Sequence, residues 1–227
     1  MSDETAVAET DETAVVVDEQ REALLEEFST ELGEGVIESH VKPGDDIWVR
    51  VSREAWVETA HVLREAMGFR FFNFLSVIDW LPSPFGRDMD SQVDLHLTPP
   101  EEAAAAEPME TGYAGGDTRF QVFARVNDIT TDRSLTIKTD LPDDDLSIAT
   151  WIPVYPGVNW HEREAAEMFG IDFVGHPNKR KLYLPATFEG NPMRKDFPLL
   201  SRRIKPWPGI VDVEQMPGDD DEEGGDS

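Results

Sequence analysis

The residue types best suited to chemistry are concentrated in residues 159–199, where carboxylates, histidines and basic side chains stand close together. His161 and Glu162 match the start of the zinc-binding pattern H-E-x-x-H, which needs a second histidine four residues after the first. That position is Ala165, so the pattern fails. Glu162 and Glu164 are two residues apart, and on a helix their carboxylates diverge rather than share a metal ion or a proton. We therefore expect no metal site here.

Other catalytic patterns are missing as well. There is no G-x-S-x-G turn for a nucleophilic serine, and neither a G-x-G-x-x-G motif nor a P-loop for a nucleotide. Cysteine is absent, which excludes disulfides, cysteine nucleophiles and iron–sulfur clusters held by this chain's own thiolates. Three acids close in sequence flank prolines and a glycine, and we interpret them as a solvated loop: Asp79, Asp88 and Asp90.

The same block predicts a helix that begins at Asn159. Asn159 and Glu162 have the spacing of a capping box, in which the two side chains bind main-chain N–H groups of the first turn. Arg163 and Glu167 are four residues apart and can pair on one face. Gly170 is suited to the left-handed conformation that ends a helix.

The elements that must position this helix form an α+β domain over residues 18–170. We predict a helix from Asp18, a second helix capped by Ser52, and a short helix near residues 146–151. Strands are predicted at residues 37–41, 47–51, 69–80, 92–98, 120–126 and 134–139. The run 69–80 is apolar enough to be central in the sheet. This order indicates a two-layer domain with a mostly antiparallel sheet and helices on one face.

Composition divides the rest of the chain. We predict that residues 1–17 and 211–227 are a disordered acidic leader and tail, because they are rich in acids and poor in large apolar residues. Residues 99–119 form a low-complexity insert that we expect to be exposed. Residues 171–210 carry prolines too often for long regular structure. We predict that they form an extended, Pro-rich C-terminal arm that docks against a partner.

The formal net charge of −27 disfavours nucleic acid as a partner. The sign reverses over residues 176–207, where eight lysines and arginines stand against Glu189 and Asp196. A localised contact is expected there, although overall acidity is also typical of proteins from salt-adapted sources. No apolar run reaches the roughly 18 residues of a membrane span. The first residues lack the pattern of a secretory signal, so we expect a cytosolic chain.

Two groups of residues resemble the motifs of the C-type subunit of proton-pumping NADH:quinone oxidoreductase (respiratory complex I). The first group has the family's spacing and consists of Glu162, Arg163, Glu164, Glu167, Met168, Phe169, His176, Arg180 and Leu182. The second is the run Gly-Asn-Pro-Met-Arg-Lys-Asp-Phe-Pro-Leu at residues 190–199, which resembles the family's G-H-P-L-R-K-D-Y-P-L. Asn191 replaces the family's histidine and Phe197 its tyrosine.

The resemblance implies a non-catalytic structural subunit in the peripheral arm of a membrane-associated complex. Such a chain carries no cofactor, since flavin and iron–sulfur clusters lie on partner subunits and NADH and quinone are substrates of the complex. Electron transfer from NADH to quinone is coupled there to proton translocation. The chain would pack against the quinone-site (D-type) subunit and adjacent cluster-bearing subunits, peripherally on the cytoplasmic side of the cell membrane.

The resemblance also assigns roles to residues. The family signature, which would anchor the arm, comprises Glu162, Arg163, Glu164, Glu167, Phe169, His176 and Arg180. The residues expected to bind a partner are Pro192, Arg194, Lys195, Asp196, Phe197, Pro198 and Trp207. Aromatic residues, methionine and arginine are enriched at interfaces. For residues 162–164, an internal ion-pair network and direct partner contact are both open.

Two alternatives stand beside this interpretation. The chain could be the equivalent subunit of a related membrane-bound hydrogenase or of a complex with another electron donor. It could also be a free-standing soluble enzyme that uses paired carboxylates, which requires two acids converging in an enclosed pocket.

Overall fold

The computed structural model describes residues 18–82 and 108–197. Within them the chain forms three α-helices and seven strands. The helices are α1 (Glu19–Leu32), α2 (Trp56–His61) and α3 (Asn159–Phe169). The strands are β1 (Val36–His40), β2 (Ile47–Val51), β3 (Phe71–Asp79), β4 (Phe120–Asp128), β5 (Arg133–Leu141), β6 (Ser147–Ala149) and β7 (Asp172–Val174).

Five strands form one sheet in the order β1-β2-β5-β4-β3. Its pairings are antiparallel except between β2 and β5, which run parallel. β6 and β7 form a separate parallel pair. The prediction of an α+β domain with a mostly antiparallel sheet is therefore confirmed.

The core lies on one face of this sheet because apolar residues alternate along its strands. In β4, Val122, Ala124 and Val126 are fully buried on that face. Each helix adds a large side chain to the same core: Phe28 from α1, Trp56 from α2 and Phe169 from α3. Helix α3 packs against β3, so the sheet fixes the position of the signature block.

Most local predictions hold. Asp18 caps α1, its carboxylate accepting from the N–H of Arg21 at 3.2 Å. The predicted cap of α2 by Ser52 is wrong, because the cap residue is Ala55 and no side chain caps the helix; Ser52 accepts from the N–H of Ala55 in the turn before it. The strands predicted at 120–126 and 134–139 are present and longer than expected, as β4 and β5.

One further local prediction is wrong and another stays a prediction. Among the described residues β3 pairs with β4 at the edge of the sheet, but the strand predicted at 92–98 lies outside them, so the central position of β3 is not tested. Helix α3 and the turn before it pack against β3, where Tyr155 contacts Phe72. Residues 146–151 form no helix, because Ser147–Ala149 is β6 and its main-chain groups pair with β7 instead.

Residues 108–119, the described part of the predicted insert, are packed on the sheet rather than wholly exposed. Ala114 is buried. The carbonyl of Gly115 accepts from Lys138 Nζ at 2.5 Å and from Gln121 Nε2 at 3.1 Å. Lys138 lies on the face opposite the core, and burial lowers the pKa of its ammonium group to about 8. These contacts fix the chain where it enters β4 at Arg119.

Several predicted features lie outside the described residues. They are the leader 1–17, Asp88 and Asp90, the strand 92–98, residues 99–107 of the insert, the arm beyond residue 197 with Pro198 and Trp207, and the tail 211–227. In the described part of the chain, none of the helices is long and apolar enough to span a membrane.

Candidate functional site

The first signature carboxylate, Glu162, is completely buried. Its Oε1 accepts from the main-chain N–H of Trp151 at 2.7 Å, and its Oε2 accepts from the hydroxyl of Thr150 at 2.5 Å. The predicted capping box is therefore wrong. Helix α3 does begin at Asn159, with Val158 as its cap residue, but the tertiary donors after β6 draw Glu162 into the interior.

His176 lies beside Glu162 and ties the start of the arm to α3. Its Nδ1 accepts from the N–H of Asn178 at 2.9 Å, so that nitrogen carries no proton. Its Nε2 therefore carries the proton and donates to the carbonyl of Asn159 at 3.2 Å. The same Nε2 is 3.9 Å from Glu162 Oε2. A buried, neutral imidazole thus joins the arm to the first turn of α3 next to the buried carboxyl.

Glu162 gives the stability of the domain a pH dependence. Burial raises the pKa of its carboxyl to about 7, from an ordinary value of 4.5. The folded chain therefore holds a proton that the unfolded chain releases, and stability is lost as the pH rises between these values. Relative to Glu162→Gln, we expect the wild-type free energy of unfolding to fall by about 2 kcal/mol from roughly pH 5 to pH 7.5. Urea denaturation of both proteins measures this, and a pH-independent difference would contradict it.

Glu167 holds the arm by its main chain. Its two carboxylate oxygens accept from the consecutive N–H groups of Leu182, Tyr183 and Leu184, at 2.6 Å for Leu182 and 3.0 Å for Tyr183. Burial acts to raise the pKa of this carboxyl, but the three N–H donors outweigh it and hold the pKa below its usual range. Glu167 is therefore an ionised anchor for residues 182–184.

Arg163 adds the complementary contacts. Its Nε donates to the carbonyl of Arg180 at 2.9 Å and its Nη2 to the carbonyl of Lys181 at 3.2 Å. The predicted pair between Arg163 and Glu167 is therefore wrong, because both side chains bind the arm instead of each other. The guanidinium of Arg180 itself donates to Asn178 Oδ1.

The second motif closes the carboxyl end of α3. The last carbonyls of a helix have no partner within the helix, and here the arm supplies three donors. These are Asn191 Nδ2 to Glu167 (2.9 Å), the N–H of Met193 to Met168 (3.1 Å) and Arg194 Nε to Phe169 (2.6 Å). Residues of the second sequence motif thus bind directly to residues of the first.

Gly170 ends α3 in the left-handed conformation, with φ +77°, as its position predicts. A Cβ there would lie 2.6 Å from Arg194 Nη2 and 2.8 Å from Asn191 Oδ1. We expect Gly170→Ala to lower the free energy of unfolding by about 2 kcal/mol, through strain and displacement of the arm. Gly44→Ala is the matched control, since Gly44 has φ +76° and no atom within 4 Å of a Cβ. Its cost should be about 1 kcal/mol, and equal costs by urea denaturation would contradict the close contact.

A third attachment joins the arm to the edge of the sheet. Asp79, the last residue of β3, accepts from Arg119 Nε at 2.9 Å and Nη2 at 2.8 Å. It also accepts from the N–H groups of Leu81 (3.0 Å) and Lys195 (2.8 Å). Arg119 Nη2 pairs in addition with Asp196 at 3.0 Å. The interpretation of Asp79 as part of a solvated loop is therefore wrong, because it is buried and its charge is compensated.

The other predicted residues are spread around these attachments. Phe169 is buried in the core and Arg194 lies over the ring of Phe120, with 5.1 Å between its guanidinium carbon and the ring centroid. Phe197 packs on Gly190, where a Cβ would meet its ring at 2.7 Å. Pro192 and Glu164 are partly exposed and Lys195 is exposed.

The roles of four residues in this arrangement are not predicted from the sequence: Asp79, Arg119, Thr150 and Trp151. They match no motif and lie far from their partners in sequence. The available signal is weak, namely an aspartate that ends an otherwise apolar strand run at residues 69–80. A charge in such a run is buried only when it is paired.

The arrangement holds a chain segment. Glu162, Glu167 and Asp79 each accept from separate sets of donors. In residues 18–82 and 108–197 there is no group of three histidine, aspartate or glutamate side chains that could hold a metal ion. An open groove of about 480 Å³ lies on the arm, lined by Pro185, Thr187, Phe188, Glu189 and Phe197.

Comparison with known proteins places these features in a family. Residues 49–203 match the model described as respiratory-chain NADH dehydrogenase, 30 kDa subunit. The C/D subunit of the NADH-quinone oxidoreductase of Cronobacter sakazakii is 42% identical over 88 residues, which are 39% of this chain and 15% of that relative. The match thus spans less than a sixth of its length.

Two solved structures match the chain, and the first of them shares its fold. A chain of the membrane-bound sulfane sulfur reductase, an archaeal respiratory membrane complex, has a TM-score of 0.54 and 18% identity, over 80% of this chain and 87% of that one. A trypsin-resistant fragment of Nqo5 has a TM-score of 0.49 and 21% identity, over 70% of this chain and 98% of the fragment. The family match covers more than half of the sequence and contains α3 and both motifs. The chain therefore belongs to the family of the 30 kDa (C-type) subunit of respiratory-chain NADH dehydrogenase.

Proposed function

We propose that the chain is a non-catalytic structural subunit in the peripheral arm of a membrane-associated NADH:quinone oxidoreductase. Its task is to hold the arm and present residues 176–207 to the quinone-site (D-type) subunit. The complex transfers electrons from NADH to quinone with proton translocation, on cofactors that other subunits carry. The observation that supports this most is that Glu167 and Asp79, two buried carboxylates of the site, bind main-chain N–H groups of the arm.

The attachments of the arm support the proposal because they are made largely by its main chain. Glu167 binds three N–H groups of residues 182–184, and Asp79 binds the N–H of Lys195. Some side chains of the arm are therefore left to face outward. Tyr183 and Met193 are both more than half exposed, and residue types of this kind are enriched at protein interfaces.

The same structure fits a second candidate, the equivalent subunit of a complex with another electron donor. The archaeal sulfane sulfur reductase neighbour shares the fold over most of this chain. The scaffold role would be the same in either complex, since the attachments of the arm involve no donor-specific group. In both cases the chain would be held at the cytoplasmic side of the cell membrane through its partners.

The test is an affinity purification of the tagged chain from gently solubilised native membranes, followed by mass spectrometry. We expect recovery of a large assembly with a quinone-site subunit and cluster-bearing chains. The input module in that assembly identifies the electron donor and decides between the two candidates. Recovery of the chain alone, as a monodisperse soluble protein, would refute the scaffold role. Membranes with an untagged chain are the control.

A further inference from the structure

We propose that the outer side of α3, formed by Trp160 and Glu164, docks an arginine or lysine side chain of the neighbouring subunit. This inference rests on the proposed function, because it requires a neighbouring subunit. It goes further by assigning the partner contact to a surface of the domain itself, beside the arm, and by stating the chemistry that fits there.

The three signature residues 162–164 differ in burial and in hydrogen-bond partners. Glu162 is buried and accepts from Trp151 and Thr150. Arg163 donates to two carbonyls of the arm. Glu164 is partly exposed, and among the residues that the structure describes it has neither a hydrogen-bond nor an ion-pair partner. The internal network thus accounts for the first two residues and leaves the third carboxylate facing outward.

Trp160 makes this side of α3 unusual for a solvent-facing surface. Its side chain is 68% exposed. Residues four apart lie next to each other on a helix, so Trp160, Glu164 and Met168 follow one line along α3. The arm borders this line, since the N–H of Met193 binds the carbonyl of Met168. Met168 packs partly against the core, so the tryptophan and the carboxylate form the outward part of this line.

The chemistry of this surface favours a cationic occupant. A guanidinium pairs with a carboxylate through two parallel hydrogen bonds, and cations bind the face of an indole ring. Glu164 and Trp160 offer both contacts one helical turn apart. Tryptophan and arginine are also the residue types most often found at the energetic centre of interfaces. An arginine or lysine with apolar neighbours is the partner group that satisfies this surface.

Two measurements on the complex in native membranes test the proposal. A photoreactive phenylalanine analogue at position 160 should form an adduct near an arginine or lysine of the neighbouring subunit. The same probe at Ile129, a 77% exposed residue after β4, is the control and should not reach that site. Glu164→Arg should reduce recovery of the neighbouring subunit about tenfold by placing like charges together. Glu26→Arg, a reversal at an exposed site on α1, should leave recovery unchanged.

The outcomes separate this inference from the proposed function. Reversing the cross-linked arginine or lysine to glutamate should restore recovery in the Glu164→Arg background, which would establish the pair. An adduct with residues 198–207 of this chain would refute the proposal, because its own basic residues would then occupy the surface. Recovery of the complex with neither an adduct nor an effect of Glu164→Arg would refute it and leave the scaffold role standing. Failure of the wild type to recover a complex would refute both.

Discussion

Replacement of Asp79 by asparagine should lower the free energy of unfolding by about 3 kcal/mol. Asp79 is 4% exposed and accepts four hydrogen bonds, two of them from Arg119. Asparagine presents an N–H₂ group to donors and removes the charge that compensates the guanidinium. Urea denaturation measures the loss. Amide hydrogen exchange should also become faster at residues 195–197, because Lys195 loses its acceptor.

The matched control for Asp79 is Asp172→Asn. Asp172 also pairs with a cation, Lys179, but both side chains are more than half exposed. Exposed ion pairs contribute less than about 1 kcal/mol, so this variant should remain close to the wild type. Equal losses in the two variants would show that the contacts of Asp79 with Arg119 and Lys195 carry no special stability.

Replacement of Glu167 by glutamine should free the middle of the arm. The amide has one oxygen acceptor, and its N–H₂ group would face main-chain N–H donors of residues 182–184. Loss of charge-assisted hydrogen bonds costs about 2 kcal/mol. We expect amide exchange at residues 182–184 to rise about tenfold or more, since a tenfold change corresponds to about 1.4 kcal/mol. Exchange at residues 195–197, which Asp79 holds, should stay at the wild-type rate.

Glu164→Gln is the control for Glu167→Gln, because it makes the same chemical change one turn away on the same helix. Glu164 binds none of the described residues, so its replacement should leave both stability and exchange in the arm unchanged. If Glu167→Gln and Glu164→Gln behaved alike, the arm would owe its position to contacts other than the carboxylate of Glu167.

The sequence predicts the parts of this structure that depend on near neighbours. Asp18 and Gly170 are examples, since a helix cap is decided within one turn. The capping box fails for the opposite reason. Its pattern involves only residues 159 and 162, whereas the donors that bind Glu162 come from Thr150 and Trp151, which lie 12 and 11 residues upstream. Tertiary donors in a buried site outweigh an exposed cap.

Asp79 shows a second limit. Its partner Arg119 is 40 residues away and Lys195 is 116 residues away, so no local pattern can reveal the contact. The apolar run of β3 has the same limit, because packing against α3 and pairing with a further strand give the same composition. The two motifs identify residues 162–180 and 190–199 as the family's characteristic residues. They do not indicate that these two segments bind each other.

The hydrogen bonds of Glu167 with the main chain have a consequence for which amino-acid substitutions the arm tolerates. The carboxylate accepts only from main-chain N–H groups, which every residue except proline provides. Leu182, Tyr183 and Leu184 can therefore be exchanged for many other residues without loosening the anchor. Proline alone breaks it at these positions. The main-chain conformation of residues 182–184 therefore does not depend on their side chains. These side chains can change over evolution together with the partner's surface, while the conformation of the arm stays the same.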